Sequence, residues 1–310
     1  MQKNAFIFPG QGSQKVGMGK DFYDNSTLAK EMLETASERT NIDFKALLFE
    51  ENSLLDQTEY AQPAILLVSL MAYKLYQEAH PKIPFLALGH SLGEFSALAA
   101  MGAMDFADAI ALVHQRGLLM KKACEGINAG MMALLGLDDE RVEVLTCNAR
   151  EAGKKVWAAN YNGDGQIVVA GNRDDLNAIE PLFKEAGAKK AVLLPMSVAS
   201  HCPLLISAQE PLGVFLEQWL RDSFDAPIVS NVTARAYASK EEAKTLLTQQ
   251  LIMPVKYKQS ILHVENEVDG FIEFGGSVLK GLNKRISQKP TVSISDMKSL
   301  EDVLHVKDKG

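Results

Sequence analysis

The run Gly89-His90-Ser91-Leu92-Gly93 has the spacing G-x-S-x-G. The apolar Phe85-Leu86-Ala87-Leu88 before it is short enough for a buried strand. Glu94-Phe95-Ser96-Ala97-Leu98-Ala99-Ala100 after it consists mostly of helix formers. Three fixed positions recur by chance; the strand–turn–helix context gives them chemical meaning. It exposes a serine hydroxyl as a nucleophile at the carboxyl edge of a sheet. Glycines at 89 and 93 let strand and helix close around the turn. The Leu92 N–H then lies at a helix N-terminus, aimed at any oxyanion forming beside Ser91.

A serine nucleophile needs a base, and the chain has six histidines. His201 lies in Ser197-Val198-Ala199-Ser200-His201-Cys202-Pro203, a loop leading into a helix, and is the best candidate. The bland alternative is a loop histidine capping that helix. His90 should be turned away by the elbow and His114 packed on a long helix. His263 belongs to a helix with a polar face, His80 precedes Pro81, and His305 is near the C-terminus. Cys202 reads as a small buried residue rather than a rival nucleophile.

Arg116 has Leu112 and Val113 one turn before it and Leu119 and Met120 one turn after. A charge centred on an apolar helical face is costly without a partner. Two readings stay open: an internal ion pair or snorkelling side chain, or a guanidinium fork for a substrate carboxylate. Early in the chain, Pro9-Gly10-Gln11-Gly12-Ser13-Gln14 is a glycine-rich loop after a short apolar run. Met18 and Lys15 break both phosphate-loop spacings. The loop is either an ordinary turn or, with Gln11, a source of a second backbone N–H near Ser91.

These residues have to be positioned by alternating strands and helices. Ala5–Phe8 reads as a first buried strand, 28–40 and 62–80 as helices with Pro63 in the first turn of the second. Asp105 is expected to cap a long helix to about Cys124. From Met131 to Leu194 the elements run β-α-β-β-α-β, with a turn at Asn162-Gly163-Asp164-Gly165, a split βαβ unit. It is expected as an inserted subdomain, 127–196, with Gly126, Gly130 and Pro195 at its hinges. The catalytic core is then 1–126 and 197–310, with the cleft between them. A helix over 203–220, a strand over 228–232, a helix over 239–251, a buried strand before Gly275 and an edge strand over 291–294 follow. The fold class is α/β, a parallel sheet flanked by helices.

The chain has 310 residues, enough for a large core plus a subdomain. With 47% hydrophobic and 23% charged residues, it has the composition of a soluble globular protein. A net charge of −7 argues against nucleic acid as partner. Three cysteines, Cys124, Cys147 and Cys202, without C-x-x-C spacing, fit a reducing cytoplasm and argue against a disulfide or zinc framework. Met1 to Phe8 is too short an apolar run for a signal peptide. The longest apolar stretch, 64–73, falls far below the roughly 20 residues that span a bilayer. Neither membrane, metal nor cofactor is expected.

Several runs together resemble the malonyl-CoA:acyl carrier protein transacylases over nearly the whole chain. They are Phe8 to Gln14, Gly89 to Glu94, Gln115-Arg116-Gly117 with Met120, Asn160-Tyr161-Asn162, Ser200-His201, and Gln250 with Pro254-Val255. The resemblance implies a hydrolase-like α/β core with a ferredoxin-like insert. It implies Ser91 as nucleophile, His201 as base, and the N–H groups of Gln11 and Leu92 as oxyanion hole. Arg116, with Gln11 and Asn160, would bind the malonyl group, and Gln250 would orient the histidine through its main-chain carbonyl. Its partners would be malonyl-CoA and an acidic acyl carrier protein, docking on a basic rim around Lys189, Lys190 or Lys284 of a monomer. Gly163-Asp164-Gly165 departs from relatives with Pro after Asn162. Val198-Ala199-Ser200-His201 only partly matches the Tyr-Ala-Ser-His of methylmalonyl-selecting enzymes. A discrete polyketide acyltransferase, a serine esterase or thioesterase, and an inactive carrier-binding module are the competing readings.

Overall fold

The computed structural model describes Lys3 to Lys307. Met1–Gln2 and Asp308–Gly310, the ends of the expected core and of the leader reading, lie outside the described residues. Among the described residues, ten strands make two sheets. In chain order they are β1 (Asn4–Phe8), β2 (Leu86–Gly89), β3 (Ala129–Leu135), β4 (Val156–Gly163), β5 (Gln166–Asn172), β6 (Lys190–Leu193), β7 (Ile228–Val229), β8 (Ala236–Tyr237), β9 (Gly270–Phe274) and β10 (Thr291–Ile294).

The larger sheet has the order β10-β9-β1-β2-β7-β8. It is parallel from β10 to β7, with β8 antiparallel at one edge. Its central strands carry unbroken apolar runs because helices cover both faces. Phe8 is in register with Gly89. Gln11 and Ser91, each a few residues beyond those partners, therefore emerge at the same carboxyl edge, where ligands of parallel sheets bind.

The smaller sheet, β4-β5-β3-β6, is antiparallel and has the ferredoxin-like order. Its alternate residues serve two cores. Met132, Leu134 and Ile167 pack with Val142, Leu176, Ile179 and Phe183 of the helices Asp139–Glu151 and Arg173–Glu185. Met131, Val168 and Ala170 point the other way, into the main core. Asp138 and Asn172 cap the two helices, accepting from the backbone N–H of Arg141 and of Asp174 and Asp175. Strand β4 is bonded to the main body: the Tyr161 N–H donates to the Val255 carbonyl at 2.9 Å, and the Val255 N–H to that of Ala159 at 2.8 Å.

Four local expectations need correction. The second helix runs Thr58–Ala79, one turn earlier than expected, so Pro63 sits inside it. A proline there leaves the carbonyl four residues back, Glu59, without its helical donor. The His114 ring nitrogen Nδ1 lies 2.8 Å from that carbonyl and takes the donor's place. Residues 203–220 are not one helix but a 3-10 segment, Pro203–Ala208, followed by the helix Gln209–Trp219. The strand over 228–232 ends at Val229, releasing Asn231 from the ladder. Gly163 belongs to β4, so the hairpin turn is shorter.

The helices Thr58–Ala79 and Phe106–Ala123 bring Gln62 and Arg116 together, and their spacing depends on Gly117. A Cβ there would stand 2.5 Å from the Glu59 Cα. No helix among the described residues is long and apolar enough to cross a membrane. Gly117→Ala is expected to force these helices apart and to lower unfolding free energy by about 1–3 kcal/mol, the usual cost of overpacking. Urea denaturation followed by circular dichroism measures it, and an unchanged midpoint would contradict the close approach.

Candidate active site

Ser91 stands between β2 and the helix Leu92–Ala100 with φ 53° and ψ −106°, outside the conformations a serine ordinarily adopts. Such strain, about 1–3 kcal/mol, persists only where the surroundings enforce it. Here two glycines do so. A Cβ on Gly89 would lie 2.0 Å from the Gly93 carbonyl carbon, and one on Gly93 would lie 2.0 Å from the Phe8 oxygen. Asn231 clamps the turn from outside the ladder. Its Oδ1 accepts from the Ser91 N–H at 2.6 Å, and its Nδ2 donates to the Gly89 carbonyl at 2.7 Å.

The His201 Nε2 lies 2.8 Å from the Ser91 Oγ. On the other side of the ring, Nδ1 lies 2.7 Å from the Gln250 main-chain carbonyl, the last residue of the helix Lys240–Gln250. A carbonyl only accepts, so Nδ1 carries the proton and Nε2 presents its lone pair to the serine O–H. Burial first, and then the Arg116 charge, push the imidazole down to about 3. The imidazole is therefore neutral at neutral pH. Cys202 beside it is fully buried, which pushes its thiol up to about 12, so it remains protonated.

Arg116 is 1% exposed. None of the described carboxylates forms a salt bridge with it. Nη1 donates to Gln62 Oε1 at 2.6 Å, and Nη2 donates to Gln250 Oε1 at 3.0 Å and to the Ser91 Oγ at 3.3 Å. The Phe95 ring covers its face, with the guanidinium carbon 5.0 Å from the centroid. Nε has no partner. Desolvation lowers Arg116 only to about 10, so it stays cationic. Of the two readings left open above, an internal ion pair is absent among the described residues, and one arm of the fork reaches the Ser91 oxygen.

A cavity of about 310 Å³ opens over Ser91 between the two sheets. Gln11, Leu92, Arg116, Asn160 and His201 line it, with Met131, Val168 and Met196 as its apolar wall. Leu92 is the first residue of its helix, so its N–H has no intrahelical acceptor. Asn160 is buried on β4. His90 is not turned away from the cleft as expected; it lines the cavity, with Nε2 2.7 Å from Asn162 Oδ1 and its ring against Tyr257. Lys189, Lys190 and Lys284 are exposed but do not line the cavity.

Sequence reasoning gave no role to Gln62, Asn231 or Glu94. Gln62 had a signal, as a polar residue inside the apolar run Ala61 to Leu67. Asn231 had none, because its importance lies in having left the strand. Glu94 closes the elbow run and is fully buried, and burial pushes its carboxyl up to about 7 despite the donors around it.

The class defined by this fold and site is the acyltransferases, and the acyl transferase domain family matches residues 5–299. The malonyl CoA-acyl carrier protein transacylase of Bacillus subtilis is 39% identical over 305 residues, covering 97% of this chain and 96% of its own. The crystal structure of malonyl-CoA:acyl carrier protein transacylase from Helicobacter pylori superimposes with a TM-score of 0.97 at 48% identity, covering 100% of this chain and 99% of that one. A type II polyketide acyl-carrier protein complex with its malonyl-transacylase gives 0.94 at 35% identity, with 98% and 99% coverage. The chain belongs to the malonyl-CoA:acyl carrier protein transacylase family.

The two titrating groups oppose each other in stability. The folded chain holds the His201 imidazole at about 3, below its ordinary 6.5, so the unfolded chain takes up that proton first. This costs stability as pH falls below about 6.5. Glu94 is raised from 4.5 to about 7, so the folded chain protonates first and gains stability over that window. The His201 ring is expected to remain neutral and Nδ1-protonated as pH is lowered from 8 to about 5. Nitrogen-15 NMR of labelled histidine reads the tautomer directly, and a protonation step near 6.5 for this ring would contradict the assignment.

Proposed function

We propose that this protein carries the malonyl group of malonyl-CoA to the phosphopantetheine thiol of acyl carrier protein, through a malonyl ester on Ser91. His201 removes the Ser91 proton as the oxygen attacks the thioester carbonyl. The resulting oxyanion is held by the N–H groups of Gln11 and Leu92, and CoA leaves as its thiol, taking the proton back from His201. The carrier thiol then gives its proton to His201, attacks the ester and restores the serine, a ping-pong sequence. Gln250 keeps the imidazole in the required tautomer, and Asn160 bounds the acyl site from the β4 side.

One observation supports this reading above the others. Arg116 is a buried cation with no carboxylate partner, and one of its donors lies 3.3 Å from the attacking oxygen. A free acid on the acyl group supplies the missing partner in a bidentate pairing. An esterase acting on neutral acyl groups has no use for such a charge.

The product supplies fatty acid synthesis. The three cysteines, free as found, fit a reducing compartment, and a cytoplasmic location is proposed on that ground.

Intact-mass spectrometry after mixing with malonyl-CoA tests the intermediate. A malonyl adduct that persists, maps to Ser91 and discharges on addition of holo carrier protein is expected, whereas rapid release of malonate would indicate a hydrolase. His201→Ala is expected to slow acylation by about 10²–10⁴, the usual contribution of a positioned base. Arg116→Ala is expected to lower transfer from malonyl-CoA while raising relative use of acetyl-CoA. Steady-state assays with both donors measure it, and an unchanged preference would overturn the carboxylate-binding role.

A further inference from the structure

The acyl-transfer steps make no use of Glu94, a carboxylate buried directly behind the nucleophile. Its oxygens accept from the Tyr237 O–H at 3.0 Å, the Asn231 backbone N–H at 3.0 Å and the Gln250 Nε2 at 2.7 Å. All three donors are neutral. Above about pH 7 Glu94 is thus a buried anion with no cation in contact, joined through one side-chain amide to a buried cation with no anion in contact.

The Gln250 side-chain amide lies between the two. Its Nε2 faces Glu94 and its Oε1 accepts from Arg116 Nη2 at 3.0 Å. An amide has a donor end and an acceptor end, and an ionised carboxylate can only accept. Glu94 therefore draws the donor end of the amide toward it, together with the Ser91 carbonyl, and leaves the acceptor end for the guanidinium. The same Nε2 also donates to the Ser91 carbonyl at 3.1 Å, which ties this amide to the elbow. A direct Glu94–Arg116 ion pair would occupy the fork. With the countercharge held one amide away, the guanidinium is balanced while its Nε stays unpartnered.

We propose that Glu94 is a positioning residue for acyl selectivity: through the Gln250 amide it orients and balances the Arg116 guanidinium for an incoming carboxylate. This rests on the reading that Arg116 binds the malonyl carboxylate. Glu94 touches neither the substrate nor the reacting atoms. Its influence falls on the choice between a charged and an uncharged acyl group rather than on the attack itself.

Glu94→Gln preserves the shape but presents a donor as well as an acceptor. The guanidinium then loses its countercharge, and the Gln250 Nε2 meets an amide that can donate as well as accept, so the hold on the Gln250 amide weakens. With the full chain, acylation of Ser91 by malonyl-CoA and by acetyl-CoA is followed by intact mass, and thermal unfolding checks that the variant is folded. The ratio of kcat/KM for malonyl-CoA to that for acetyl-CoA is expected to fall by about tenfold or more, the scale of a charge-assisted hydrogen bond, chiefly through KM for malonyl-CoA. Glu94→Asp keeps the charge on a shorter arm, so an intermediate ratio is expected, and it serves as the test if the glutamine variant does not fold. In the Arg116→Ala background, Glu94→Gln is expected to change the ratio no further. Equal losses with both donors would mark Glu94 as merely structural and overturn the proposal, as would additive losses in the double variant. If Arg116→Ala itself leaves the ratio unchanged, the pocket reading fails. If only the Glu94 variants leave it unchanged, the inference alone fails.

Discussion

A guanidinium buried without a carboxylate is the constraint around which the site is organised. Desolvating a cation is tolerable only when donors and countercharge are arranged for it, and Arg116 is held by two glutamine amides, a serine oxygen and an aromatic face. Each of these partners is itself held elsewhere. Gln62 Nε2 donates to the Met120 sulfur, Gln250 is bonded to Glu94, and Ser91 is locked in its elbow. The arrangement keeps a positive charge beside the Ser91 oxygen and gives it only neutral acceptors.

The same charge acts on the His201 ring. Arg116 helps to keep the His201 imidazole unprotonated, and the Gln250 carbonyl keeps its proton on the far nitrogen. A buried carboxylate in that position would raise the basicity of the ring and would also compete for Arg116. A carbonyl fixes the tautomer without doing either. A main-chain carbonyl behind the histidine is thus compatible with a cation next to the serine.

The parallel sheet delivers these groups to one edge. The register of Phe8 with Gly89 sends both loops out at one edge, and the short strand ending at Val229 frees Asn231 to reach back to the turn. The antiparallel sheet then closes the cleft with alternate residues of β3 and β5. It is fastened to the core through the paired backbones of Ala159, Tyr161 and Val255.

The elbow, the alternation of strands and helices, and the β-α-β-β-α-β order were legible in the residues, because each depends on neighbours within a few positions of one another. Element ends were less so. Pro63 reads as a helix start, yet it lies within one because His114 satisfies the carbonyl it strands, and only packing supplies that partner. For the charge on the 106–123 helix, the apolar surroundings of Arg116 were plain from its spacing, but the amides that receive it lie 54 and 134 positions away. Glu94 and Asn231, 137 positions apart, meet through a single backbone N–H. Local chemistry determined which residues could act, since propensity and turn geometry are properties of short stretches. Tertiary structure decided how they act, since tautomer, charge balance and amide direction depend on which distant groups sheet register and helix packing bring into contact.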